Sequence, residues 1–163
     1  MLDFQFGWMP GREHLCRLSN VWSDHPVYFL TTCTLGRRRI LTAGECAGVL
    51  VEAWGSAPER HGWAVGRYVI MPDHVHFFAT PFPAAKPLRA FMRDWKKWTS
   101  RCLVRPGTPV GPVWQAEFFD HLLRSPRSYS EKWDYVRDNP VRAGLVANPN
   151  DWPYSGECVD LSW

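Results

Sequence analysis

Apolar residues recur along this chain with two periods, and the changes of period mark its elements. VYFLTTCTL (27–35) is β-branched and aromatic, which predicts a strand. From about Ala43 to Glu59, Cys46, Val49, Leu50, Ala53 and Trp54 return at helical spacing, so an amphipathic helix is expected to cover one face of a sheet. WAVGRYVIM (63–71) and HVHFFAT (74–80) are strand-like again, and Pro72-Asp73 between them makes 63–80 a hairpin. Beyond a proline-rich loop, a second helix is expected over 86–103, with Leu88, Phe91, Met92, Trp95, Thr99 and Cys102 on its apolar side. Residues 105–112 read as a loop and VWQAEFFDHLLRS (113–125) as a fourth strand. A last helix is expected to start near Ser128, whose spacing to Glu131 is that of a capping box. It should run to about Asn139, because Pro140 disfavours helical backbone in the residue before it. Residues 1–26 and the stretch from 141 onward read as irregular.

This order predicts an α+β domain: a ferredoxin-like βαββαβ antiparallel sheet with helices on one face. An extra C-terminal helix carrying Tyr135 is left for the other face. The expected division is an N-terminal arm (1–26), one domain (27–155) and a C-terminal tail (156–163), and 163 residues suit a single domain.

Composition adds a partner class. Aromatic residues make up 15% of the chain and ten are Trp, enough to fill a core and still leave rings to stack on unpaired bases. The formal charge of +3 is mild, but the basic residues are clustered. Arg37, Arg38 and Arg39 adjoin the first strand, and Arg89, Arg93, Lys96 and Lys97 lie on the second helix; these are the candidate phosphate contacts. Five widely spaced cysteines without a CxxC exclude a disulfide framework or a cysteine zinc cluster, and they point to a reducing compartment. With no apolar run of membrane-span length and no apolar signal core at the start, a soluble cytoplasmic protein with no membrane partner is expected.

The candidate chemistry begins at His74-Val75-His76. Residues i and i+2 of a strand project from one face, so two imidazoles stand side by side while Val75 joins Phe77 and Ala79 in the opposite layer. On the last helix Tyr135 and Asn139 share a side, with Tyr129, Trp133 and Val136 on the packing side. If that helix crosses the sheet face bearing the imidazoles, Asn139 can offer a third, oxygen ligand with Tyr135 a turn away. Such a ligand set suits Mg²⁺ or Mn²⁺. His121 is a further candidate.

MPDHVHFF resembles the HUH signature, two histidines about a bulky apolar residue. Trp114-Gln115, Phe118-Phe119-Asp120-His121 and YVRDNPVRAGLV (135–146) are similar to the later blocks of REP-associated tyrosine transposases, within the single-tyrosine HUH transposase superfamily. The resemblance runs over roughly residues 25–155. It implies His74 and His76 as metal ligands, Asn139 as the third ligand and Tyr135 as nucleophile. The implied reaction is cleavage and strand transfer of single-stranded DNA at or near hairpin palindromes through a 5′-phosphotyrosine, in a nucleoid-associated monomer or homodimer. A non-catalytic regulator that binds repeated palindromes is the alternative. A water-using metal phosphoesterase is weakened by the lack of a second histidine or carboxylate cluster.

Overall fold

The computed structural model describes residues 26–103 and 111–161. The arm expected over 1–26 therefore lies, except for Pro26, outside the described residues. A five-stranded sheet organises the rest: β1 (Val27–Cys33), β2 (Trp63–Met71), β3 (His74–Pro81), β4 (Phe119–Leu123) and β5 (Ser155–Glu157). Its order is β4-β1-β3-β2-β5, and every pairing is antiparallel. The first four strands have the split βαβ arrangement expected, with β5 added at the β2 edge.

The helix expected from Ala43 begins later and is broken. Gly44 takes a left-handed φ of 53°, which holds the chain in a turn, and α1 runs Cys46–Gly55. Pro58, which lacks an amide proton, falls in the first turn of a separate α2 (Ala57–His61). These helices and α3 (Leu88–Leu103) cover one sheet face. Leu50, Trp54, Phe91, Met92 and Trp95 meet Leu30, Val65, Ile70, Val75, Phe77 and Ala79 there. Trp54 stacks on Trp95 with centroids 5.7 Å apart. Cys102, expected on the apolar side of α3, is exposed near its C-terminal end.

The strand expected over 113–125 is interrupted for a physical reason. Trp114 bridges Thr34, and Gln115 N–H donates to the Cys33 carbonyl, but β-pairing resumes only at Phe119. In between, the carbonyls of Gln115, Ala116 and Glu117 accept from the Lys96 ammonium at 2.9, 3.2 and 2.8 Å. Burial brings the Lys96 pKa down to about 8, which leaves it protonated at neutral pH with three donors for three acceptors. Lys96 thus faces inward and shapes the fold. Lys96→Met is expected to lower the unfolding free energy by about 2 kcal/mol, the order of leaving buried carbonyls without partners. Chemical denaturation measures it.

The last helix also starts earlier than its Ser128-Glu131 spacing suggests. Ser125 is the N-cap: its Oγ accepts from the Ser128 amide at 3.1 Å, and Ser128 Oγ accepts from the Ser125 amide at 3.1 Å. Pro126 occupies the first turn, so α4 runs Pro126–Arg137. Glu131 is left to pair with Arg127 at 2.7 Å. After Asp138 the chain re-enters a short α5 (Asn139–Arg142), with Pro140 tolerated in its first turn. Asn139 therefore belongs to α5 and not to the tyrosine helix. The stretch expected to be irregular beyond 141 supplies β5, which pairs Arg67 with Glu157 and Val69 with Ser155.

Candidate active site

Strand register decides what surrounds the two imidazoles. On the face away from α1 and α3, His74 lies between Cys33 and Met71, and His76 between Thr31 and Val69. The two rings are 4.8 Å apart and nearly perpendicular, at 84°. His74 Nδ1 is 2.6 Å from Asp73 Oδ1, and Asp73 is held in turn by Arg37 Nε at 2.9 Å. That hydrogen bond with His74 keeps the Asp73 carboxyl below its ordinary range. His76 Nδ1 is 2.7 Å from Thr31 Oγ1, and its ring stacks on Phe29 at 5.5 Å. Each Nδ1 is engaged by a neighbour, so Nε2 is the atom each ring has left for a ligand; outer partners fix metal-binding imidazoles in this way. Desolvation first, then the neighbouring His74 ring and the cations Arg142, Lys132 and Arg37, holds His76 well below the usual imidazole pKa. The neutral, ligating form is therefore the one present at neutral pH.

The tyrosine helix crosses this same face. Tyr129 and Val136 are buried, and Trp133 is partly so. Phe78, one alternation beyond His76, meets Tyr129 at 4.7 Å and Trp133 at 6.2 Å. Arg67 lies over both rings, 5.3 Å from Trp133 and 5.7 Å from Tyr129. Tyr135, 47% exposed, is turned outward from this packing. Lys132 links the two layers: its Nζ is 5.1 Å from the Phe29 centroid and 5.8 Å from that of Tyr135. Asn139 is half-buried at the start of α5, and its Oδ1 accepts from Arg142 Nη2.

His121 pairs with Phe29 across β1 and β4, which puts it on the imidazole face at the sheet edge. Burial and the charges of Lys132 and Arg124 lower its pKa. Two places along β4 towards its start, exposed Phe119 occupies the same face opposite Thr31. Thr31, Asp73, Lys132 and Arg142 went unread in the sequence. Asp73 had a visible signal, its place next to His74 in the turn, whereas the other three are brought in by register and helix packing.

The basic candidates divide. Arg37 is drawn to Asp73 and donates to Cys33 Sγ at 2.7 Å. Arg38 ties the loop after β1 to the Pro112 carbonyl at 2.8 Å. Arg39 is exposed. On the helix side of the sheet, a groove of about 380 Å³ runs between α3 and residues 112–118, lined by Arg89, Arg93, Lys97, Trp114, Glu117 and Phe118 among others. Arg89, Arg93 and Lys97 are exposed there, and Arg93 Nε pairs with Asp94 at 2.9 Å. Among the described residues no group of three or more His, Cys, Asp and Glu is placed to hold a metal ion. A metal on His74 and His76 therefore needs other donors, such as a carboxamide, water or phosphate. No helix among the described residues is long and apolar enough to cross a membrane.

The sequence model of the family described as Transposase IS200 like matches residues 24–124, well over half the chain. The chain belongs to the IS200-like transposase family. The matched span carries His74, His76 and His121 and stops before α4. This IS200-like chain is 29% identical over 92 residues to a REP-associated tyrosine transposase of Escherichia coli, covering 56% of this chain and 52% of that one. It is 28% identical over 122 residues to a putative REP-associated tyrosine transposase of Haemophilus influenzae, covering 63% and 64%. The chain thus spans about half to two-thirds the length of these curated relatives. Its fold is similar to that of a REP-associated tyrosine transposase solved bound to a REP hairpin: TM-score 0.68, 23% identity, 86% of this chain and 82% of that one. A putative transposase from Deinococcus radiodurans shares the fold at a TM-score of 0.52 and 18% identity, over 75% and 96% of the two chains.

Proposed function

We propose that this IS200-like family member cleaves and rejoins single-stranded DNA at hairpin palindromes, with Tyr135 as nucleophile. His74, His76 and Asn139 hold a divalent Mg²⁺ or Mn²⁺ in this reading. One observation carries it: the helix bearing the exposed phenol packs on the sheet face that bears both imidazoles. The two Nε2 atoms left by the engaged Nδ1 positions, with the oxygen of Asn139 beyond α4, make a donor set that fits a hard or borderline ion. When bound, such an ion polarises a phosphodiester and offsets charge developing on it.

The reaction is a transesterification. Tyr135 Oη loses its proton to water and bonds to phosphorus as the bond from phosphorus to the upstream 3′-oxygen breaks. That oxygen takes up a proton and leaves as a 3′-hydroxyl. The 5′-phosphotyrosine keeps the bond energy, so a 3′-hydroxyl can reverse the step and join strands without a nucleotide cofactor. Lys132, between Phe29 and Tyr135, sets a positive charge beside the incoming phosphate.

Hairpin DNA as substrate is supported by the likeness to REP-associated transposases and by the chain's own surface. Arg89, Arg93 and Lys97 give the α3 groove cations for a duplex stem, contacts that position DNA without reading sequence. The groove wall, residues 115–118, leads into β4, the sheet edge, where Phe119 offers a ring to an unpaired base on the way to His121 and the imidazoles.

An end-labelled oligonucleotide with a hairpin, incubated with Mn²⁺ or Mg²⁺, tests the reading. A 3′-end label is expected in a covalent protein adduct and a 5′-end label in a free fragment, both absent under chelation. Cleavage without an adduct would replace this reading with water-driven hydrolysis. Hairpin binding without cleavage under any divalent ion would leave a regulator of repeated palindromes.

A further inference from the structure

Arg142, the last residue of α5, reaches back across the Asp138 junction onto α4. Its Nη2 donates to the Tyr135 carbonyl at 2.6 Å and also to Asn139 Oδ1. Its Cζ stands 4.2 Å from the centroid of the Tyr135 ring. One guanidinium thus touches the backbone and the ring of the residue read above as nucleophile, and the carboxamide read above as ligand. An arginine near a helix C-terminus often does no more than satisfy a leftover carbonyl. Such a cap requires the bond to Tyr135 O alone. The stacked ring and the bond to Asn139 go beyond it, and they use the planar, multi-donor fork that a lysine lacks.

We propose that Arg142 is a positioning residue for strand transfer, clamping the Tyr135 phenol and the Asn139 carboxamide into one unit that meets the imidazole pair. It rests on the functional reading above. The short α5 supplies the geometry. Pro140, buried and in its first turn, fixes where the helix restarts, and the restart brings the Arg142 guanidinium back over the Tyr135 ring. Without the clamp the ring and the carboxamide would explore their rotamers independently, and each productive encounter would carry that ordering cost.

The full chain labelled with 3-fluorotyrosine tests this in two arms. There are five tyrosines, and the Tyr135 signal is assigned by its loss in Tyr135→Phe. Without DNA or metal, Arg142→Ala is expected to move and sharpen the Tyr135 ¹⁹F resonance while the other four hold their positions. With Mn²⁺ and saturating hairpin DNA, its single-turnover adduct rate is expected to fall about a hundredfold, the scale of a roughly 1 Å misplacement. Hairpin affinity and thermal midpoint should stay at wild-type values, and Arg142→Lys, which keeps the charge but not the fork, should fall in between. A Tyr135 resonance unmoved in Arg142→Ala would overturn the clamp. An Arg142→Ala rate equal to that of an adduct-forming wild type would reduce Arg142 to a helix cap. Wild-type protein that forms no adduct would overturn the functional reading and this role with it, while the ¹⁹F arm still reports whether the contact exists.

Discussion

Tyr135→Phe is expected to abolish the covalent protein–DNA adduct while leaving the fold and hairpin binding intact. The substitution removes one oxygen from a side chain that is 47% exposed and turned away from the packing of α4. Its stability cost should therefore lie within about 0.5 kcal/mol, the range of surface changes that disturb no cap, core or network. The chemical effect is of another order. A phenol is the attacking atom in this mechanism, and removing a nucleophile costs at least about a thousandfold in rate even where the rest of the site survives. Tyr129 is no substitute: it is buried against Phe78, and its pKa is pushed up to about 12. Tyr129→Phe should accordingly leave adduct formation in place. The measurement is denaturing gel electrophoresis of labelled hairpin DNA with each variant, alongside thermal unfolding. An adduct that persists in Tyr135→Phe would reject the assignment.

The second large effect is expected at the imidazoles. His74→Ala and His76→Ala should each remove most of the Mn²⁺ affinity and the adduct with it. Because each ring is held through Nδ1, changing the holder should reproduce part of the loss without touching a ligand. Asp73→Asn and Thr31→Val are expected to weaken Mn²⁺ binding about 10–100-fold, the usual cost of losing an outer partner. The pattern separates a metal site from a merely structural histidine pair, since a structural pair would show altered stability but no graded Mn²⁺ dependence. The free Mn²⁺ signal in electron paramagnetic resonance titrations reads the affinity directly. Mn²⁺ binding undiminished in His74→Ala and His76→Ala would place the ion elsewhere.

Local chemistry made some of these features legible in the sequence, and long-range packing hid others. The 63–80 hairpin could be read because two strongly β-prone runs flank Pro72-Asp73, and strand alternation then put His74 and His76 on one face. The packing side of the last helix was equally readable, since Tyr129, Trp133 and Val136 keep helical spacing. The break in 113–125 was not, because the ammonium that captures its carbonyls comes from Lys96, nineteen to twenty-one residues away. Ser125 and Ser128 compete for the same cap, and Pro126 at the first helical position decides between them, a signal present but outweighed by Glu131. β5 reads Ser-Gly-Glu and has no strand propensity of its own; pairing with the β2 edge makes it a strand. Asn139 shifts from α4 to α5 because the helix restarts after Asp138, and the same restart brings in Arg142.

The proposed reaction requires one centre shared by the α4 phenol and the β3 imidazoles. A crystal structure of Tyr135→Phe with Mn²⁺ and an uncleaved hairpin oligonucleotide, with an anomalous difference map for manganese, tests that most directly. The expected result is a manganese peak in coordination contact with His74 Nε2 and His76 Nε2, with a phosphodiester lying between the metal and the ring of residue 135. A peak bound elsewhere, or a phosphodiester held on the far side of the sheet from α4, would contradict it.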